Sequence, residues 1–407
     1  MRDVVARVIR DFAHLAFAIA RGRTTSQRVL KQYSTEVIGR HCFLPARLPF
    51  DTCLSIDHTG RLGRSRYFYL IARFLSSEDY PIGILMRRPY LVSFRTYLRS
   101  MDPYARLAFK HEHAQFIYLV PSEAARMTLI HDGSDSRLID YKWRKIITLD
   151  EDIAAIPNKT ELSILMPYPM HPLIYAANPS IEPLRHSNKS IRLFFSGNAN
   201  PQIYREEWNL ICKRFRMLNR VEVIDAVLGL PDHLVWRLNS QGELTQVLSQ
   251  KCLDRVVLAL SDDGVGVEQS GWLKTLSRCD VFLAPPGVFM PQCHNIIEAM
   301  AVGCIPLTNY ADWFSPPLVD GVNCFRFHGG KELQERIASI LATDQAALNA
   351  MRQRVVEYYD RHLAPKGFLE RLRAHTGSQI RLYVNTERDD ILKRVHKGSA
   401  LRNVPTF

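Results

Sequence analysis

The sequence predicts an α/β protein with two parallel-sheet domains. The chain has 407 residues, more than one hydrophobic core usually supports. Short apolar runs typical of buried strands alternate with stretches of helical periodicity, which indicates mostly parallel sheets. Residues 167–183, near the middle of the chain, contain five prolines. Because proline cannot continue a helix or a central strand, this segment is predicted to connect the two domains.

Composition narrows the class of partner. The chain has 53 Lys and Arg residues against 41 Asp and Glu, a formal net charge of +12, which favours anionic partners such as nucleotides or phospholipid surfaces. No zinc finger, RNA-recognition signature or dense basic block is present in the sequence, so we expect no nucleic acid partner. The eight cysteines are scattered without a C-x-x-C pair, which predicts reduced thiols in the cytoplasm.

The N-terminal residues 3–21 show a continuous apolar stripe at helical spacing. The longest uncharged run, residues 12–20, is far shorter than the roughly 20 residues that a membrane span needs. Two interpretations remain open: a helix packed on the protein, or one lying in a membrane interface. The sequence therefore predicts a cytoplasmic protein, either without membrane contact or peripheral at the inner membrane face.

The most informative stretch covers residues 280–307. A predicted strand ends at a Pro-Pro-Gly corner, and a predicted helix with one apolar face runs up to Gly303, where a C-cap is expected. At about 100° per residue, His294, Asn295 and Glu298 group on the side opposite the apolar face. A helix start after a strand offers N–H groups to an anion, so these side chains are predicted to bind phosphate and ribose. The alternative is that they form only a cap and a solvated face.

Residues 295–307, Asn-Ile-Ile-Glu-Ala-Met-Ala-Val-Gly-Cys-Ile-Pro-Leu, resemble the donor-binding segment of GT-B glycosyltransferases. The last five residues are closest to exostosin-like members, and the part beginning at Glu298 to group-1 (glycogen-synthase-like) members. The resemblance implies a GT-B fold, two Rossmann-like domains facing across a cleft, with Glu298 contacting the nucleotide ribose. Many group-1 enzymes carry a second glutamate eight residues earlier, where this chain has Met290, so subfamily and stereochemistry stay open.

The resemblance also implies a division of the chain. Residues 1–48 are predicted as an N-terminal amphipathic helical segment and 49–185 as the acceptor domain. Residues 186–365 are predicted as the nucleotide-sugar donor domain, and 366–407 as a helical return and tail.

Within the donor domain, Gly197 and Asn198 follow a predicted strand and resemble the loop that closes over the donor diphosphate. The usual basic residue is not clearly placed, and both Arg205 and Lys274 are candidates. Gly287, at the Pro-Pro-Gly corner, is expected to converge with these residues at the carboxyl ends of the strands, where α/β sheets bind their ligands.

In the acceptor domain, a predicted strand at residues 53–56 leads into a loop that begins with Asp57 and His58. An inverting enzyme needs a general base there, and we predict that one of these two side chains supplies it. Gly60 and Arg61, in the same loop, are predicted to contact the acceptor, since glycine permits close approach to backbone. Alternatively, Asp57 caps the following turn, or a retaining enzyme uses His58 only to contact the sugar.

The predicted function is transfer of a hexosyl or pentosyl group from a UDP- or GDP-linked donor to a glycan or glycolipid acceptor of the cell surface. Helix and loop N–H groups with basic side chains can stabilise the departing diphosphate, so we expect no metal and no cofactor. Two alternatives remain: a non-catalytic nucleotide-binding or scaffolding protein on the same shell, and a polyol-phosphate transferase of surface polymers.

Overall fold

The computed structural model describes residues 50–58, 60–85, 102–117, 121–204 and 210–403. The predicted N-terminal helix at residues 3–21 and the candidate Arg205 lie outside these ranges. The chain forms two compact units. The first comprises the chain up to Asp150 together with Lys159–Leu162 and Leu369–Leu382, and the second comprises Glu151–Asn158, Ser163–Phe368 and the chain from Tyr383 onward.

The first unit is built on a seven-stranded sheet in the order β3-β2-β1-β4-β5-β13-β6. The strands of this sheet are β1 (Thr52–Ser55), β2 (Ile82–Leu85), β3 (Ala114–Ile117), β4 (Thr128–His131), β5 (Lys145–Asp150), β6 (Leu162–Leu165) and β13 (Gln379–Tyr383). All of them belong to the first unit except the last three residues of β6 and the last residue of β13, which are assigned to the second. The pairs β1–β2, β2–β3, β1–β4 and β4–β5 are parallel. The chain extends from β1 towards β2 and β3 on one side and from β4 towards β5 on the other. The direction of winding therefore changes between β1 and β4, where such sheets open a crevice.

Two short helices follow β1: α1 (Arg61–Arg64) and α2 (Arg66–Leu75). The Ser65 hydroxyl accepts a hydrogen bond from the Tyr67 N–H at 3.2 Å and caps α2. Eight of the ten residues of α2 are buried, including Phe68 and Phe74, so this helix provides much of the apolar core on its side of the sheet.

An ion pair lies at the amino end of β1 in the first sheet. Arg373 donates two hydrogen bonds to the Asp51 carboxylate, at 3.0 and 2.8 Å. These hydrogen bonds lower the pKa of Asp51 to about 2. Because Arg373 comes from the C-terminal part of the chain, the pair ties two distant segments of the first unit together.

We expect Asp51→Asn to lower the free energy of unfolding at pH 7 by about 1 kcal/mol, a value reduced for the partial exposure of the pair. The folded-state pKa lies below the unfolded one, so the stabilisation is complete above about pH 4 and is lost as the pH falls through about 2. Urea unfolding at pH 7 and pH 2 checks this result: the two proteins should differ only at pH 7. Asp254→Asn, in an exposed pair with its neighbour Arg255, is the control; an equal loss in both variants would contradict the prediction.

The second unit is built on a six-stranded sheet in the order β12-β11-β10-β7-β9-β8, and every neighbouring pair is parallel. Its strands are β7 (Ile191–Gly197), β8 (Val235–Arg237), β9 (Cys252–Leu260), β10 (Cys279–Leu283), β11 (Ile305–Thr308) and β12 (Phe325–Arg326). The chain leaves β7 in one direction and leaves β10 in the other. The winding of this sheet therefore changes between β7 and β10.

The remaining helices cover this unit and lead back to the first. They are α3 (Pro172–Ala177), α4 (Glu182–Arg185), α5 (Leu210–Phe215), α6 (Arg220–Leu228), α7 (Gln241–Ser249), α8 (Trp272–Leu276), α9 (His294–Ala301), α10 (Gly330–Ala342), α11 (Gln345–Tyr358), α12 (Pro365–Ala374), α13 (Asp389–Leu392) and α14 (Ala400–Asn403). Helix α9 ends at Ala301, and two residues later Gly303 has φ of 75°, the left-handed conformation of a glycine that follows a helix. In the part of the chain that the structure describes, no helix has the length and apolar character to cross a membrane.

The predicted class, α/β with two parallel-sheet domains, is confirmed. The apolar run at residues 221–224 predicts a strand from the sequence alone, and this prediction is wrong, because these residues lie in helix α6. The Asn219 side chain accepts from the Glu222 N–H, and the Glu222 carboxylate accepts from the Asn219 N–H. This reciprocal capping box starts a helix where the apolar run alone predicted a strand. Strands β4, β8 and β13 were not predicted from the sequence.

The proline-rich segment at residues 167–183 belongs to the second unit and includes α3. The predicted domain boundary at residue 185 falls inside this unit. The segment packs there because its backbone makes hydrogen bonds with side chains of α9, as described below.

Candidate functional site

The carboxyl ends of β7 and β10 lie at the change of winding in the second sheet, and the side chain of Arg220 joins the loops that follow them. Its Nε donates to the Pro286 carbonyl at 3.0 Å, and its Nη1 donates to the Asn198 carbonyl at 3.3 Å. Arg220 is the first residue of α6 and is only 6% exposed. One guanidinium therefore fixes the two loops that border the crevice.

Arg220 is a buried cation with little local compensation. Its guanidinium lies over the Tyr204 ring, 4.6 Å from the centroid. Among the residues that the structure describes, no carboxylate forms an ion pair with it. Burying a charge without an opposite charge is costly, so this position favours an anionic ligand.

The predicted donor-loop residues lie around this guanidinium. Gly197 has φ of 157°, and a Cβ there would lie 3.7 Å from Arg220 Nη1, so the loop passes directly beside the cation. The Ala199 N–H donates to Asp262 Oδ2 at 2.7 Å, which ties the loop after β7 to the one after β9. Gly287 closes its own turn: a Cβ there would lie 2.6 Å from the Met290 carbonyl oxygen, so a side chain does not fit.

The amino end of α9 borders the same crevice. Its N-cap, Cys293, has extended backbone and makes no side-chain capping hydrogen bond. A Cβ at Gly287 would lie 3.6 Å from the Cys293 Cβ, and the carbonyl of the preceding residue, Pro286, accepts from Arg220. The start of α9 therefore lies near the guanidinium, and the positive end of the helix dipole adds to its charge.

Glu298 is placed differently from the sequence prediction. Its side chain is only 2% exposed. Oε1 accepts from the His171 N–H at 2.9 Å, and Oε2 accepts from the Trp272 indole N–H at 2.5 Å. The alternative of a solvated face is wrong for Glu298, because the proline-rich segment and α8 cover this side of α9. Both carboxylate oxygens hold protein donors where ribose hydroxyls were expected.

Burial also changes the acidity of this carboxyl group. Desolvation raises the pKa of Glu298 to about 7, although the hydrogen bonds from His171 and Trp272 act in the opposite direction. The group therefore changes its charge near neutral pH, deep in the second unit.

His294 lies with the proline-rich segment as well. Its Nδ1 is 2.8 Å from the Pro169 carbonyl oxygen, and its ring meets the His171 ring edge to face at 5.5 Å between centroids. The neighbouring Asn295 is partly exposed in the first turn of α9, and Lys274 is exposed on α8. The structure thus gathers His294 and Glu298 around His171, and it gathers Gly197, Asn198 and Gly287 around Arg220.

In the first unit, Asp57 lies at the change of winding between β1 and β4. Its N–H donates to Asp132 Oδ2 at 2.7 Å, which joins the loops after these two strands. Asp132 also accepts from the Ser134 N–H at 3.0 Å. The Asp57 side chain is partly exposed, and Arg61 is exposed on α1.

His58 is fully buried, with Nε2 3.4 Å from the Leu85 carbonyl oxygen and its ring edge to face with Phe68 at 5.0 Å. A buried imidazole is poorly placed to take a proton from an acceptor hydroxyl. The glycines of this loop serve packing: a Cβ at Gly63 would lie 2.4 Å from the Asp57 carbonyl oxygen, and one at Gly60 would lie 3.1 Å from it.

Sequence reasoning missed Arg220, Asp132 and the contacts of Glu298. The capping box at residues 219–222 is the signal that places Arg220 at the start of a helix. No sequence signal pairs Glu298 with Trp272 or with the backbone of His171. In the described part of the chain, no group of three or more acidic, histidine or cysteine side chains is arranged to hold a metal ion.

The chain matches no protein-family model and no curated protein in sequence. It is similar to solved structures. HepE from Anabaena, in complex with UDP and glucose, is 11% identical with a TM-score of 0.40, over 79% of this chain and 98% of that one.

Thermobaculum terrenum O-GlcNAc transferase is 13% identical with a TM-score of 0.33, over 90% and 77% of the two chains. A DNA-modifying β-glucosyltransferase is 10% identical with a TM-score of 0.33, over 79% and 98%. Glycosyltransferases are thus among the structures that this chain is similar to.

Proposed function

We propose that the second unit binds the nucleoside diphosphate of a UDP- or GDP-linked sugar, and that the protein is a glycosyltransferase. The observation that carries the proposal is the guanidinium of Arg220, buried at the change of winding and held by two carbonyl groups. A diphosphate at this crevice would supply the missing negative charge, and the amino end of α9 would add N–H donors.

The same groups suit the chemistry of transfer. As the bond between sugar and diphosphate breaks, negative charge grows on the leaving phosphate, and a fixed cation with oriented N–H groups stabilises that charge. Transfer by this route needs no metal. The acceptor that we propose is a hydroxyl of a glycan or glycolipid. Asp57, partly exposed at the crevice of the first sheet, is a better candidate than the buried His58 for its activation.

Glu298 has a different role in this proposal from the one its position in the motif predicted. Its carboxylate holds the backbone of His171 and the indole of Trp272, and therefore fixes the protein segments beside α9. We propose that it positions the wall of the nucleotide site without contacting the ribose in this conformation.

A thermal-shift series with UDP, GDP, uridine and AMP tests the proposal. A ligand that binds only the folded protein raises the melting temperature of the protein. At a ligand concentration of a hundred times the Kd, the free energy of unfolding increases by about 2.7 kcal/mol. We expect UDP or GDP to raise the melting temperature and uridine to have little effect, because it lacks the diphosphate. No shift with either diphosphate at millimolar concentration would overturn the assignment.

A non-catalytic nucleotide-binding protein is the second candidate, and the burial of His58 favours it. Hydrolysis or transfer of the sugar from a radiolabelled UDP-sugar separates the two. Binding without turnover would support the second candidate, and turnover would exclude it.

A further inference from the structure

A second cationic cavity lies in the second unit, at the amino ends of the strands. Its volume is about 960 Å³, and its wall contains four cationic side chains and two carboxylates. The cations are those of Arg185, Lys189, Lys251 and Arg352, and the carboxylates those of Glu182 and Glu357. We call it the amino-edge cavity. Nucleotide binding was proposed above for the opposite ends of the same strands.

The two lysines meet here because of strand register. Lys189 lies two residues before β7 and Lys251 immediately before β9, and the parallel register pairs Ile191 with Cys252. The Cys252 N–H donates to the Ser190 carbonyl at 2.7 Å, so the two segments enter the sheet side by side.

The carboxylates of the wall are already engaged. Glu182 pairs with Arg185 and with His186, and Glu357 pairs with Arg354 at 2.9 Å. Arg185 is engaged as well, because its guanidinium also donates to the Asp360 carboxylate at 2.8 and 2.6 Å. The excess positive charge of the wall therefore comes from Lys189, Lys251 and Arg352. Within the described ranges, neither Lys189 nor Lys251 has a carboxylate partner at ion-pair distance; the Lys189 ammonium donates to the Ser277 carbonyl at 2.6 Å.

Two arginines beside the cavity share a single carboxylate, which leaves an excess of positive charge there. Asp280 is fully buried and accepts from both Arg192, at 3.1 Å, and Arg352, at 2.6 Å, so two guanidinium groups share one negative charge. The Nε atoms of both arginines are buried without a hydrogen-bond partner. Burial lowers the pKa of Lys189 to about 8, as expected for an ammonium that gains little compensation from its surroundings.

The rest of the wall suits a ligand with hydroxyl groups. Amide side chains line the cavity at Asn188, Gln345, Asn349 and Gln353. Amides both donate and accept hydrogen bonds and so fit hydroxyl groups, whereas ammonium and guanidinium groups fit phosphate.

We propose that the amino-edge cavity binds a small polyol carrying a phosphate group. Arg185 connects this site to α9, because its Nε donates to the Ala301 carbonyl at 3.0 Å, at the last residue of that helix. The other end of α9 borders the crevice beside Arg220. The site stands on its own observations and does not depend on the proposed transferase activity.

Isothermal titration of the full chain with ribose 5-phosphate, ribose and inorganic phosphate tests the site. We expect saturable binding of ribose 5-phosphate, weaker binding of phosphate and none of ribose. Lys251→Glu and Asn349→Asp, both at exposed positions, each place a negative charge in the wall and should weaken binding by about tenfold or more. Lys331→Glu, at an exposed lysine of α10 outside the wall, should leave the Kd unchanged.

Vesicles containing phosphatidic acid form a separate arm. The soluble ligand would be overturned in favour of a lipid headgroup by three results together. The wild-type protein would sediment with these vesicles, the Lys251→Glu variant would not, and ribose 5-phosphate would not bind. Absence of saturable binding of every probe, or equal affinities in wild type and both wall variants, would overturn the site itself.

Discussion

Arg220→Ala is expected to raise the Kd for UDP by about tenfold to a hundredfold, since a hydrogen bond to a charged group contributes about 1.5–3 kcal/mol. The loss has two physical sources. The variant lacks the buried guanidinium proposed to face the diphosphate, and it releases the Pro286 and Asn198 carbonyls that the guanidinium holds in place. Isothermal titration with UDP measures the effect, and thermal unfolding verifies that the variant is folded.

Arg220→Lys separates the two sources. An ammonium keeps the charge but lacks the planar fork that reaches two carbonyl groups, so we expect an intermediate Kd. Arg237→Ala is the matched control: this arginine lies in the same sheet, is exposed and pairs with Asp263. Unchanged UDP affinity in a folded Arg220→Ala protein would show that Arg220 is not part of the nucleotide site. If the alanine variant does not fold, the Kd of Arg220→Lys is the test.

Glu298 is expected to make the protein less stable as the pH rises from about 5 to 8. Its pKa is about 7 in the folded protein, above the ordinary value of 4.5 expected in the unfolded chain, so the folded state binds the proton more tightly. Stability from this group is complete below about pH 4.5 and declines until about pH 7, by about 3 kcal/mol in all. Urea unfolding at pH 5 and at pH 8 measures the difference.

Glu298→Gln removes the titrating group and should reduce the loss between pH 5 and pH 8 by about 2.5 kcal/mol, the part of the total that falls in this interval. Glu335→Gln, at an exposed glutamate near Lys331, is the control and should keep the wild-type dependence. Glu298→Ala would leave the His171 N–H and the Trp272 indole without their acceptor, at a cost of about 1–3 kcal/mol each. The same loss in wild type and Glu298→Gln would show that another group controls this pH range.

The sequence correctly predicted those helices and strands whose type depends only on the local pattern of apolar residues. Strands β7 and β10 contain uninterrupted apolar runs, at residues 193–195 and 281–283, and α9 has a full apolar face, so their types were predicted correctly from the pattern of apolar residues. Helix α6 was mistaken for a strand because four residues of mixed apolar character satisfy either period. The reciprocal hydrogen bonds of its capping box stabilise the start of a helix and so favour helix over strand.

The candidate site was predicted less well because it depends on contacts between distant segments. Periodicity correctly places Glu298 opposite the buried stripe of α9, but it cannot show that the proline-rich segment covers that face. Asn198 and Gly197 could be found from their position after a strand. The side chain that joins their loop to Pro286 comes from a helix 22 residues beyond Asn198, a contact that only the folded chain makes.

Strand β13 lies between β5 and β6 in the first sheet, although it is the last strand in the part of the chain that the structure describes. During synthesis, the ribosome must therefore translate the chain through residue 383 before β13 can join this sheet. Until then β5 exposes an edge with unsatisfied backbone groups, which is the kind of surface through which nascent chains aggregate. A gene fragment that ends after β6, at residue 166, would lack β13 and encode an incomplete sheet, so its expression calls for fusion of residues 369–383 to its end.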